Sequence, residues 1–318
     1  MRNQRLMNCI IAGIACFVVG AVVGILVFSA QQQTTPNQPA SPQVQPASNA
    51  PVAEGNEETT NRADNSSAPD PAPANIAKYN ASLSSSIQSI IEGYDGTVSV
   101  AVRDLVGESS ASVAGSDQMV AASMIKLLIM AELFDRVNAG DFSLDEYPDG
   151  YGGTYGYLCS IMISVSDNYA ANNLIDILGM DNINEEAAKL GLTGTQLNRR
   201  MLEDTGVENY TTANDVALIL TKIHNGEFYS EELSSVAYGY LADQTIETGA
   251  SDALQDKAVY AHKTGELNSP TYVRNDGGIV MAQKPFVLVI LTNYLEEASA
   301  KPLMAAVADE VYATLEAN

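Results

Sequence analysis

Cysteine and histidine are scarce in this chain of 318 residues, which has three cysteines and two histidines. Cys9 and Cys16 fall inside one apolar N-terminal run, so only Cys159 remains for the folded part, and that part cannot close a disulfide on itself. One cysteine with His224 and His262 is too little for an ordinary protein-bound zinc site, and no metal or other cofactor is expected. A Ser-His-Asp mechanism would need one of the two histidines. Neither sits in a recognisable nucleophile context, so the default for both is a satisfied structural or surface role. Basic residues are few as well: 16 Lys and Arg against 39 Asp and Glu give a formal net charge of −23. That balance argues against nucleic acid and anionic lipid surfaces as partners. No internal repeat is visible.

What is present begins with Cys9–Ala30, an uninterrupted apolar run preceded by Arg2 and Arg5. Its length matches the roughly 20 residues that span a bilayer, and the arginines favour a cytoplasmic N-terminus with the remainder outside. An uncleaved anchor over residues 1–30 is the expectation; a signal peptide with Val27 and Ser29 at the −3 and −1 positions of its cleavage site is the competing reading. Residues 31–75 turn to Gln, Pro, Ser, Asn, Thr and Ala with almost no large apolar side chain. Such a composition buries too little surface to offset ordering entropy and predicts a disordered tether, with an average reach of roughly 35–40 Å.

Residues 76–318 carry the folding signals. The spacing of Ile76, Leu83, Ile87, Ile90 and Ile91 predicts a helix over Ile76–Glu92, stopped by Gly93. Thr97–Val102 alternates polar and apolar as a half-buried strand does, Gly107 marks a turn, and Ser109–Ala114 reads as a return strand. Near the C-terminus Ala258–Lys263, Gly278–Ala282 and Phe286–Thr292 read as three more strands, followed by a helix over Ser299–Leu315. Helices fill the middle. Strands at both ends with helices between them fit an α/β domain built from both termini, with an inserted all-helical domain.

Three short motifs lie along this part in order: Ser123-Met124-Ile125-Lys126, Ser166-Asp167-Asn168 and Lys263-Thr264-Gly265. The first would occur by chance roughly once in a chain this long, but each of the others in only about one such chain in twenty. Ala121–Leu133 is apolar nearly all round, which predicts a buried helix with Lys126 as its exception. Three residues separate Ser123 from Lys126, placing both on one helical face. Desolvation drives a buried lysine toward its neutral form, which can accept the proton of Ser123 as the hydroxyl attacks a carbonyl. The plainer alternative is Ser123 as an N-cap and Lys126 snorkelling to solvent. Ser166-Asp167-Asn168 falls between helical patterns over Tyr155–Ser164 and Tyr169–Leu178, with Asp167 a natural N-cap. In a functional reading, Ser166 relays a proton and Asn168 contacts substrate or Lys126. Lys263-Thr264-Gly265 ends the predicted strand Ala258–Lys263; Gly265 would let a substrate backbone approach the sheet edge, and Lys263 with Thr264 could bind a carboxylate.

This set, in this order, resembles that of class A β-lactamases and penicillin-binding proteins. The likeness extends through Gly156–Gly179 and Glu208–Ala213 and covers roughly residues 80–316. It implies the fold of serine β-lactamases and D-Ala-D-Ala peptidases, a five-stranded antiparallel sheet flanked by helices beside an all-helical domain. It also implies Ser123 as acylated nucleophile, Lys126 as its base, Ser166 as proton relay, Asn168 as substrate contact, and Lys263 with Thr264 as carboxylate binders. The backbone amides of Ser123 and Glu266 would form the oxyanion hole.

Two departures matter. Class A enzymes hydrolyse their acyl-enzyme with a glutamate in an E-x-x-L-N loop. Here Thr195–Arg199 resembles the approach to that loop, but strict register puts Met201 at the glutamate position, with Glu203 the nearest substitute and Asp204 or Glu208 behind it. The second departure is Glu266, whose carboxylate would repel a substrate carboxylate unless it points away or pairs with a cation; Arg274 is the expected cation. Cys159, opposite Met130, is expected to be a buried free thiol. The first functional reading is an extracytoplasmic β-lactamase acting through Ser123. The second is a D,D-peptidase on peptidoglycan stem peptides, and the third a binding module for wall peptide or β-lactam without turnover. The catalytic domain is expected to be a monomer.

Overall fold

Thr97–Val102 alternates polar and apolar as a half-buried strand does, yet Val98–Val102 are all buried, Ser99 included, because both faces of the sheet are covered. The computed structural model describes residues 71–317. The chain divides into two units, Met1–Ser66 and Ser67–Asn318; the first lies outside the described residues, and with it the expected anchor and most of the expected tether. Among the described residues no helix is long and apolar enough to cross a membrane.

In chain order, α1 (Pro71–Ile91) leads to β1 (Thr97–Asp104), β2 (Ser110–Val113) and the short β3 (Met119–Val120). A 3₁₀ turn (Ala122–Ile125) runs into α2 (Lys126–Ala139), followed by α3 (Tyr155–Ser164), α4 (Asn168–Leu178) and α5 (Met180–Leu190). Next come β4 (Tyr210–Thr211), α6 (Ala213–His224), α7 (Glu231–Ala242) and α8 (Gly249–Leu254). The chain closes with β5 (Val259–Leu267), β6 (Val273–Met281), β7 (Phe286–Asn293) and α9 (Glu297–Glu316). The fold is mixed α/β, with nine α-helices among the described residues and a five-stranded antiparallel sheet in the order β2-β1-β7-β6-β5. The insertion between β2 and β5 is mainly helical, as the sequence predicts. A separate two-stranded ladder joins β3 to β4.

Every residue of β7 is buried, because both faces of the sheet are packed. One face meets α1 and α9 through Leu83, Ile87, Val307 and Val311 against Val100, Leu288 and Ile290. The other meets the 3₁₀ turn, α2 and α6 through Met124, Leu128 and Val216 against Val289 and Leu291. Burying each such aliphatic side chain contributes about 1.5–3 kcal/mol, which fixes the sheet as the frame on which the motifs are hung.

The sequence places most elements within a few residues, and the differences have local causes. α1 starts at Pro71 rather than Ile76. Pro71 and Pro73 fall in its first turn, where an amide would have no intrahelical partner. β5 does not end at Lys263 but runs to Leu267, because its ladder with β6 continues from Lys263 opposite Gly277 to Leu267 opposite Val273. β6 begins at Val273 rather than Gly278. Its polar residues Asn275 and Asp276 read as a turn in the sequence, yet both are buried and hydrogen-bonded within the sheet.

Candidate active site

The buried Lys126 sits where the 3₁₀ turn becomes α2, so Ser123 and Lys126 belong to consecutive helical elements rather than to one α-helix. Ser123 is half-buried and Lys126 fully buried. Ala122, immediately before the serine, has φ +46°, a left-handed conformation that costs a residue with a side chain about 1–3 kcal/mol and tends to cluster at functional sites. Lys126 does not snorkel to solvent. Its Nζ donates to the Ser166 carbonyl at 2.6 Å, to Ser166 Oγ at 3.1 Å and to Asn168 Oδ1 at 2.9 Å. No hydrogen bond joins it to Ser123 among the described residues. Burial pushes its pKa down to about 8, opposed by the negative charge of Asp167. A lysine so placed is readily neutral in mildly alkaline water and able to take a proton.

Ser166 also has a left-handed backbone, φ +58°. The next residue, Asp167, caps α4 by accepting from the Ala170 amide at 2.7 Å, as its sequence position predicts. This geometry aims Ser166 Oγ between two lysines, since Lys263 Nζ donates to it at 3.0 Å. With both of its lone pairs engaged by lysine N–H donors, the hydroxyl keeps its own proton to give. Lys263 is fully buried, donates also to the Thr264 carbonyl at 2.8 Å, and has its pKa held well below the usual lysine range by desolvation and then by Lys126. Asp276 and Glu266 work in the opposite direction.

Gly265 brings the third motif against the first. A Cβ at this position would stand 2.8 Å from the Ala121 carbonyl oxygen and 3.2 Å from the Met124 nitrogen, so only a glycine lets β5 run flush with the nucleophile turn. Asn275 ties the two from below, its Nδ2 donating to the Val120 carbonyl at 2.9 Å and the Ala121 carbonyl at 3.2 Å. Its Oδ1 accepts from the Thr292 amide at 2.9 Å. Sequence reasoning passed over Asn275; a polar pair inside an otherwise apolar strand was the available signal. Ser123 and Asn168 thus line one cleft, Lys126, Ser166 and Lys263 are joined to Asn168 by a chain of hydrogen bonds, and Gly265 lies against the nucleophile turn.

The family identity comes from comparison. The β-lactamase enzyme family matches residues 82–315 of the chain, a span that includes all three motifs. The chain belongs to the β-lactamase enzyme family. Solved structures agree at the level of fold. A β-lactamase from Sphaerobacter thermophilus is 24% identical over 74% of this chain and 97% of its own, with a TM-score of 0.65. PBP-A is 27% identical over 74% of this chain and 97% of its own, with a TM-score of 0.66. Its L158E mutant, solved as an acyl-enzyme complex with penicillin G, is 25% identical over 75% and 97%, with a TM-score of 0.68. No match is found among curated proteins.

Within this family member the remaining candidates are placed as follows. Met201 is buried in the cleft wall, its amide donating to Asn172 Oδ1 at 2.8 Å and its carbonyl accepting from Asn172 Nδ2 at 3.0 Å. Glu203 lines the same cleft as Ser123, but its side chain is 48% exposed and lies 3.6 Å from Arg200. Glu208 is turned to Arg199 at 2.6 Å. Glu266 is exposed, and Arg274 does not neutralise it, although the two are opposite each other in the β5–β6 ladder. The guanidinium donates instead to the carbonyls of Leu267 and Val273, both at 2.8 Å, and lies 3.7 Å from Glu297. The expected pairing of Glu266 with Arg274 is therefore absent among the described residues, because the arginine finds closer acceptors along its own hairpin. His262 has the structural role that was its default, with Nδ1 2.8 Å from buried Asp276. The other Asp276 oxygen accepts from the Thr248 hydroxyl. Cys159 is a buried free thiol whose pKa is raised by burial.

Proposed function

We propose that the chain is a serine acyl-transfer hydrolase of the penicillin-binding D,D-peptidase kind, acting outside the cell membrane on peptidoglycan stem peptides and acylated at Ser123 by β-lactams. The observation that carries this reading is the loop wall: a buried methionine, Met201, stands in register with the deacylating glutamate of class A enzymes, and the nearest acid, Glu203, is half exposed beside Arg200.

In this reading Ser123 Oγ forms a bond to the scissile carbonyl carbon and its proton passes to neutral Lys126. The carbon–nitrogen bond breaks, and Ser166 supplies the proton that the leaving amine needs, drawing on the lysine network. Lys263 and Thr264 hold the substrate carboxylate, and Asn168 offers its Nδ2 while its Oδ1 is bound to Lys126. The approach of Gly265 to the nucleophile turn supports an oxyanion hole made by the amides of Ser123 and Glu266. Water then cleaves the ester. A peptide's leaving group diffuses away and admits that water, whereas an opened β-lactam keeps its nitrogen tethered in the cleft. With no carboxylate held at Met201, the β-lactam ester is expected to clear slowly.

Efficient β-lactamase action is the second reading, favoured by one observation: Glu203 shares the cleft with Ser123. The extracytoplasmic placement rests on Cys9–Ala30, Arg2 and Arg5 in the sequence, with residues 31–70 of the expected tether as the spacer, since α1 already begins at Pro71. Substitution tests the site directly. Ser123→Ala and Lys126→Ala should each abolish covalent labelling by a fluorescent penicillin while the circular-dichroism spectrum is unchanged; labelling that survives either substitution removes that residue from the mechanism.

A further inference from the structure

A buried carboxylate that no step of the reaction uses stands across the ladder from the third motif. Asp276 is fully buried and directly opposite Thr264 in the β5–β6 pairing, next to the place where Lys263 faces Gly277. A carboxylate in such a position is costly unless donors reach it, and two do. Its Oδ1 lies 2.8 Å from His262 Nδ1, and its other oxygen accepts from the Thr248 hydroxyl. Both partners are fixed in turn. Thr248 caps the N-terminus of α8, accepting from the Ser251 amide at 3.1 Å, and His262 stacks on Tyr260 with ring centroids 4.5 Å apart. Gly278 makes room for that stack, since a Cβ there would stand 2.5 Å from His262 Cβ and 2.6 Å from Tyr260 Cε2. Successive strand residues point to opposite faces, so His262 and Asp276 face α8 while Lys263 points to Ser166.

Lys263 needs such a neighbour. Desolvation and the charge of Lys126 on α2 both push it toward the neutral amine, which cannot hold a carboxylate by charge. Two acids oppose them, Asp276 on β6 and Glu266 on β5. Glu266 is exposed, so water and salt weaken its field, whereas Asp276 is fully buried and acts through the protein interior. The other charges nearby are engaged elsewhere: Asp167 acts on Lys126, and Arg274 is turned to the carbonyls of Leu267 and Val273. We infer that Asp276, held by His262 and Thr248, is a positioning residue for acyl transfer, the fixed counter-charge that keeps Lys263 an ammonium able to hold the substrate carboxylate. Once Lys126 is neutral its repulsion is gone and Asp276 remains, so a neutral and a charged lysine can share Ser166 Oγ. The inference rests on the Ser123 acyl-enzyme reading above and adds to it the source of the charge that binds substrate.

Benzylpenicillin and its methyl ester differ only at the carboxylate, so the ratio of their second-order acylation constants isolates the contact with Lys263 from the chemistry at Ser123 and Lys126. Both constants would be measured by intact mass on the full-length protein from about pH 7 to 10, above the ordinary imidazole range. In the wild type the ratio is expected to fall as Lys263 loses its proton. In Asp276→Asn the fall should come about one pH unit lower, which makes the ratio up to about tenfold smaller at a fixed alkaline pH. Thr248→Val takes one donor from the carboxylate and should move the fall the same way by less. A merely structural role for Asp276 would slow both compounds together and leave the ratio where it is. A ratio profile in Asp276→Asn that superimposes on the wild-type one overturns the inference alone, and the same profile in Thr248→Val does so where Asp276→Asn does not fold. Absence of an adduct with either compound in the wild type overturns the acyl-enzyme reading and the inference with it.

Discussion

At the scale of single residues the chemistry depends on one lysine being easy to deprotonate. Lys126 is fully buried and its pKa falls to about 8. Only the neutral amine can accept the Ser123 proton, so the acylation rate should climb as pH rises toward about 8 and level off above it. Stopped-flow acylation by one penicillin across that range checks this, and a rate that falls through the same interval would assign the base elsewhere. The same shift affects stability. Between about 8 and the ordinary lysine value of 10.5 the unfolded chain binds more protons at this site than the native one, so native stability contributed by Lys126 rises with pH there. Lys126 was legible in the sequence because it is the one basic residue in the apolar stretch Ala121–Leu133, and Ser166 and Lys263 because their triplets are rare. Asn172 and Asn275 were not. Asparagines are common, and the partners of these two are far away in sequence: Asn172 clamps Met201, and Asn275 holds Val120 from 155 residues further along the chain.

At the scale of elements, the site depends on an edge strand lying flush against a helical turn. A methyl added to Gly265 would fall 2.8 Å from the Ala121 carbonyl oxygen, a backbone atom that cannot swing aside. Gly265→Ala should therefore displace β5 by a fraction of an ångström and slow acylation by about 100-fold, since misplacement on that scale costs a rate of this order. Wild-type kinetics in this variant would show that the strand need not approach the turn. Asn275→Ala removes three hydrogen bonds between β6, β7 and the segment entering the nucleophile turn. It takes the side-chain donor from the Val120 carbonyl and the side-chain acceptor from the Thr292 amide, while the Ala121 carbonyl keeps the Met124 amide; the expected destabilisation is about 1–3 kcal/mol, read as a lower denaturation midpoint at unchanged slope. Strands and helices were predictable from period wherever one face is apolar, as in β1 and α1. The extension of β5 and the early start of β6 were not, because Gly265, Asn275 and Asp276 carry turn-like side chains whose burial only the assembled sheet explains.

At the scale of the whole molecule, a sheet packed on both faces holds β5, α2 and the start of α4 in one frame, and three motifs spread over more than 140 positions converge on a single cleft. Order and spacing made the family legible before any coordinates. What they could not supply is the charge around the cleft, where Arg274 turns away from Glu266 to the carbonyls of Leu267 and Val273. The central claim is that Ser123 is acylated and that the ester then persists for want of a loop carboxylate. Intact-mass spectrometry of the protein from seconds to hours after mixing with a penicillin and a cephalosporin tests it most directly. The expected result is a single adduct, mapped to the peptide containing Ser123, that persists for hours while little hydrolysed drug accumulates. An adduct that forms and clears as hydrolysed drug builds up would contradict the slow-ester account and make Glu203 the residue to substitute next; no adduct at all would contradict acylation itself.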